Sequence, residues 1–238
     1  MASIIDAFQE SFHDHHSLTK YFIFAIPVYY CVDLYSKNDS FFYAVSAIVF
    51  ILLFGFMLKC TSNVRNGKNY VLPSLNIFSM FWEGIKGLVS IGPILALFSW
   101  LATIICEFLS NYFPDPNSII VWKFIIWGLS ASVMMTGYLC YARNFKISDA
   151  YNLKTICNSS VDVFVGVLFM IPQILIVDAV VIAPVTYLIW LFFGIPHPIA
   201  VFFWSMCLIF NLSLTGHYLA QIDYEAIAVN EKENDKII

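Results

Sequence analysis

The sequence predicts an all-α, polytopic membrane protein, with about six transmembrane helices arranged as three hairpins. Each hairpin is expected to follow an amphipathic surface helix on the cytoplasmic side. Three observations predict this class. Of the 238 residues, 60% are apolar and 12% charged, with a mean hydropathy of +0.78, whereas soluble domains carry about 25% charge. Apolar runs close to the roughly 20 residues that cross a bilayer alternate with short polar turns. The few basic residues are also distributed unevenly between alternate turns.

Taken in order, residues 3–16 read as a first surface helix. Ile4, Ile5, Phe8 and Phe12 make its apolar side, and Asp6, Gln9, Glu10 and His13 its wet side. The acidic and histidine content of this opening does not fit a removable signal peptide. A first span is predicted over residues 18–35, short for a crossing, with Lys20 snorkelling at its inner end. The turn Ser36–Ser40 leads to a clear second span, 41–58.

The stretch from Arg65 to Lys86 is the longest polar-to-amphipathic interval. Gly67 makes a turn, Leu72-Pro73 closes it, and Ser74 is positioned to cap a surface helix over 75–86. In that helix Leu75, Phe78, Phe81, Trp82 and Ile85 recur at three- and four-residue steps, with Asn76, Ser79, Glu83 and Lys86 largely off their face. One aromatic face and one polar face immediately before an apolar span predict a helix lying in the membrane surface.

Spans three and four are predicted at 87–109 and 119–142, joined by the proline-containing turn Asn111–Ser118. A third surface helix is expected over 148–161. The apolar run 163–193 is too long for one simple crossing and holds Pro172 and Pro184, which predicts a single kinked and tilted fifth span. The sixth span is 199–220. A charged tail follows from Gln221, with 226–238 expected to be disordered and 1–225 expected to form one membrane domain.

Six spans would put both termini on one side. Ten of the 12 Lys and Arg residues fall on that side, and only Lys37 and Lys123 fall opposite. This asymmetry predicts cytoplasmic termini in a cytoplasmic (inner) membrane. An internal repeat is expected beneath this order: Pro93 and Pro172 share an offset with Gly137 and Gly216, and Pro27 with Gly55 fit more loosely.

The run Arg65, Gly67, Leu72-Pro73, a tryptophan-containing amphipathic stretch and Gly84-Ile-Lys86 resembles the prokaryotic membrane family catalogued as domain of unknown function 4013. The resemblance spans residues 3 to about 225, with Ser74-Leu-Asn76 replacing the acidic residues usual after Leu-Pro. It implies topology and transfers no catalytic role.

Asp178 is the foremost candidate for chemistry, because a centred aspartate costs about 2.5–3.5 kcal/mol on insertion scales and normally faces a bundle interior or a wet cavity. Gln173 and Asn211 are its expected partners in a transport site or polar network. Arg65, Lys68, Trp82 and Lys86 form a candidate contact for anionic lipid headgroups. His13-Asp-His-His16 lacks converging partners for a metal, and the six cysteines show no ligand spacing. No catalytic motif appears, and neither a cofactor nor nucleic acid is expected. The expected partners are the bilayer and another membrane protein. The sequence thus favours a non-enzymatic scaffold, accessory subunit or membrane-organising component. The alternative is a small-solute or ion transporter using kinked helices and Asp178.

Overall fold

A computed structural model describes residues 3–14, 16–68, 70–112, 116–194 and 197–228. Every regular element among them is helical: α1 Ile4–Ser11, α2 Ser17–Ser36, α3 Phe42–Arg65, α4 Ile77–Tyr112, α5 Pro116–Asn144, α6 Ile147–Ala150, α7 Leu153–Val177, α8 Ala183–Phe193 and α9 Pro198–Ile222. Two π-helical segments, Asp178–Ile182 and Asp223–Ala228, continue α7 and α9. Five helical runs are long and apolar enough to cross a membrane: Phe42–Arg65, Ile77–Tyr112, Ser118–Asn144, Leu153–Phe193 and Pro198–Ala228. This fits a multi-pass membrane protein. The first expected span, α2, is not among them, since Lys20, Asp33 and several tyrosines dilute its hydrocarbon.

Local chemistry sets the boundaries, and several differ from the sequence expectation: α1 ends at Ser11 rather than 16, and α3 runs past 58 to Arg65. The helix after Leu72-Pro73 starts at Ile77, because the Asn76 side-chain oxygen, not Ser74, accepts the Ser79 N–H at 3.0 Å. It then runs unbroken to Tyr112, joining the expected surface helix 75–86 to the expected span 87–109. Gly84 and Gly87 do not stop it, since a helical glycine costs only about 1 kcal/mol. The expected surface helix 148–161 is divided. Asn152 caps a new helix by accepting the Thr155 N–H at 3.3 Å, and that helix continues through residue 193. The tail expected from Gln221 is helical through Ala228, and residues 229–238 lie outside those described.

Two helix ends use left-handed caps. Gly67 at φ +66° follows α3, with the Lys68 N–H returning to the Asn63 carbonyl at 3.0 Å. Asn38 at φ +53° does the same after α2, with the Asp39 N–H on the Leu34 carbonyl at 3.1 Å.

The described residues group into two compact units, one of residues up to Ile85 with Phe169–Gln221, the other of Lys86–Leu168 with Ile222 onward. In the first unit the core joins Ala7, Phe24, Phe56, Leu72, Met80, Ile209 and Leu214. Glycines set the backbone spacing there. A Cβ on Gly55 would lie 1.9 Å from the Met80 carbonyl oxygen, and one on Gly84 would lie 2.2 Å from that of Ile51. The α3 and α4 backbones therefore touch, as small residues allow at membrane helix crossings. Polar contacts bind α1 along α9: the Ser3 N–H donates to Gln221 Oε1 at 2.7 Å, and His217 Nε2 lies 2.7 Å from Glu10 Oε2. The buried Tyr21 hydroxyl donates to the Ser11 carbonyl at 3.1 Å and meets Ser213 Oγ at 2.8 Å.

In the second unit the Arg143 guanidinium grips Asp223 in a two-pronged pair. Nε lies 3.0 and 3.1 Å from the two carboxylate oxygens, and Asp223 is only 1% exposed. Gly166 packs under Ile222, and Gly128 under the Phe164 ring.

Candidate functional site

Asp178 opens the π-helical segment Asp178–Ile182. The cause lies five and six residues on. Ala183 donates its N–H to the Asp178 carbonyl, a one-residue-wider turn, and Pro184 next to it has no N–H to return to Val180. The helix stays continuous, as the single fifth span expected from sequence requires, with a widened turn ahead of Pro184.

Along this helix Asp178, Ile182, Thr186 and Trp190 recur every four residues, flanked by Ala179, Ala183 and Tyr187. Together they make one wall of an open groove of about 590 Å³. The other wall comes from α9, where Cys207 and Asn211 are four residues apart and share a face. All of these residues belong to the first compact unit.

Two acceptors of the groove residues stand without partners. Asp178 Oδ1 and Asn211 Oδ1 are both buried from solvent contact and neither has a hydrogen-bond partner. Each is an acceptor, and an unsatisfied buried acceptor costs about 1–3 kcal/mol. The Tyr187 and Trp190 rings, 5.7 Å apart by centroid, supply exposed aromatic surface on the same wall.

The structure thus brings two of the three expected partners together. Gln173 is half-buried on α7 and does not line the groove. Five residues along an α-helix is about 500°, which puts it roughly 140° around from Asp178. Sequence reasoning missed Cys207, Thr186, Tyr187 and Trp190 because each reads as ordinary hydrocarbon packing. The four-residue spacing forward from Asp178 was the signal that pointed to two of them, Thr186 and Trp190.

The candidate lipid-contact residues sit differently. Arg65 ends α3, and Trp82 is half exposed on α4. Lys68 is already engaged, donating to Asn63 Oδ1 at 2.8 Å and lying 5.8 Å over the Tyr70 ring. Lys20, which the sequence reading treated as a snorkelling end group, lies 5.5 Å over the same ring and pairs with Asp14. Lys86 begins the second unit, and its carbonyl accepts the Ser90 hydroxyl at 2.7 Å. For Asp14, partial burial pushes the carboxyl upward. The Lys20 ammonium, the His16 N–H and nearby positive charge outweigh that and hold it below its usual value.

No family model matches the chain, and no curated protein and no solved structure does either. The resemblance to domain of unknown function 4013 therefore rests on the Arg65–Lys86 motif itself. Two of its glycines have physical roles here: Gly67 in the left-handed cap and Gly84 in the α3–α4 crossing.

Proposed function

We propose that this chain is a small-solute or ion transporter of the cytoplasmic membrane, working at the groove between Asp178 and Asn211. The observation that carries the reading is one groove lined by Asp178 and Asn211, each with a buried acceptor oxygen that has no partner, within otherwise apolar helices. A carboxyl in a spanning segment usually marks a substrate or proton path, and a π-turn beside it is frequent at working sites. The sequence alone ranks an accessory or scaffold role first; the groove shared by Asp178 and Asn211 supports placing transport ahead of it in this proposal.

The topology in this reading is six crossings as three hairpins with both termini cytoplasmic. Supporting α2 as a crossing, its ring Phe24 packs on Phe56 at 5.0 Å, and Tyr35 packs on Phe42 at 5.1 Å near the connecting turn. Twenty helical residues span about 30 Å, the thickness of a hydrocarbon core. The amphipathic segments and the excess of basic residues on the terminal side support the orientation. Gly55, Gly137 and Gly216, which the internal repeat aligns, each sit against a neighbouring segment.

Flux tests the function. Purified chain in proteoliposomes is expected to move a solute or ion, and Asp178→Asn is expected to abolish that movement while the protein stays monodisperse. Undiminished flux in Asp178→Asn would remove the groove from the account.

A second reading keeps the scaffold or accessory role, because α8 buries none of its residues within the chain and Phe192 is 74% exposed. Another membrane protein could cover that face. Stable co-purification of one stoichiometric membrane partner, with no flux across a broad solute panel, would favour it.

A further inference from the structure

Resting on the reading of this groove as the working site, we infer that its ligand is a monovalent organic cation, an ammonium carrying an apolar substituent. The unsatisfied groups decide the sign. Asp178 and Asn211 line the groove and each has an acceptor oxygen without a partner in the chain, which favours an occupant that brings donors. No described Lys, Arg or His lines the groove, so its carboxyl and amide oxygens offer an anion no cationic partner.

The lining then narrows the kind of cation. A bare alkaline-earth ion takes six to eight oxygen ligands, and zinc takes three or four side chains. The groove offers one carboxylate, one amide oxygen and one thiol, with hydroxyls at Thr186 and Tyr187. Among the described residues no three histidine, cysteine, aspartate or glutamate side chains gather to hold a metal ion, whereas the carboxyl, amide and hydroxyl oxygens suffice for the two or three N–H donors of an ammonium. The rest of the wall is apolar or aromatic, namely Ala179, Ile182, Ala183 and the Tyr187–Trp190 pair. Aromatic faces attract ammonium groups by about 0.5–2 kcal/mol, and the apolar strip accommodates a hydrocarbon substituent. A volume of about 590 Å³ lies within the range of small-molecule sites.

Binding, separate from flux, tests the class. Full-length protein in lipid nanodiscs is titrated with benzylammonium chloride, benzyl alcohol, sodium benzoate and potassium chloride, following heat of binding and thermal midpoint. Benzylammonium is expected to bind and raise the midpoint, with the other three at least tenfold weaker. Asp178→Asn should weaken benzylammonium at least tenfold, and Asp178→Glu should restore part of the loss. Trp190→Leu, at a half-exposed position where folding is not at stake, should weaken it about three- to tenfold. Benzyl alcohol or potassium binding as tightly as benzylammonium would overturn the inference, as would an Asp178→Asn variant with unchanged affinity. Asp178-dependent ammonium binding without flux would support the ligand class and count against transport. Asp178-dependent flux of a neutral or anionic solute, without ammonium binding, would keep the transport reading and sink the class.

Discussion

Single ionisable residues carry three separate jobs in this chain, and each answers to a different perturbation. At Asp223 the carboxylate is 1% exposed and held by Arg143 through two-pronged contacts. Removing one partner of such a pair strands the other, a loss of about 3 kcal/mol or more. Asp223→Ala should therefore lower the thermal midpoint by several degrees in detergent, while Glu225→Ala, in the same π-segment, should cost far less. Asp14 works by linkage. Its folded-state carboxyl titrates below the usual 3.8 because Lys20 and the His16 N–H stabilise the charged form. Its contribution to stability is complete above that unfolded value and is lost as pH falls through the lower folded one. Melting followed from pH 6 down to pH 3 should show an acid loss that is smaller in Asp14→Asn. Asp178 differs from both in having a buried oxygen with no partner within the chain, which is why it is assigned to a ligand.

At the scale of helices, hydropathy alone located α3, α5 and α9 to within a few residues at most ends, because long apolar runs bounded by polar turns leave little choice. It failed where an amphipathic segment abuts an apolar one. Nothing in the residues around Gly84–Gly87 or Val161–Val163 terminates a helix, and backbone hydrogen bonding continues straight through. The widened turn at Asp178 was invisible as well, since a helix-period reading assumes a constant angle per residue and Pro184 announces only a bend. The candidate site was legible in Asp178 and Asn211, polar groups that stand out in hydrocarbon. Gln173 misled because sequence proximity took the place of helical angle. Gly84, which in the sequence is only one residue of a motif, is where α3 and α4 touch. Gly84→Val should place methyl groups into the Ile51 carbonyl, costing about 1–3 kcal/mol or preventing assembly. A lowered melting midpoint, or loss of monodisperse protein on size exclusion, would register it, and Gly92→Ala, where a Cβ meets open space, is the control.

For the whole molecule, the proposed topology and the proposed role of the groove combine: hairpins entering from the cytoplasmic side, with the groove lined by Asp178 and Asn211 proposed to receive a cation. Whether α2 crosses is decided by labelling. A membrane-impermeant maleimide applied to intact cells should modify Lys37→Cys and leave His13→Cys untouched. Equal labelling of the two would mean that α2 stays on one side and the termini lie opposite each other. The most direct measurement uses a residue already in the groove wall. In a variant retaining Cys207 as its one cysteine, cationic and anionic methanethiosulfonate reagents of equal size are compared for rate. The account predicts that the cationic reagent modifies Cys207 at least tenfold faster, and that Asp178→Asn erases the preference. A Cys207 that reacts with neither reagent, or with both at the same rate, would contradict it.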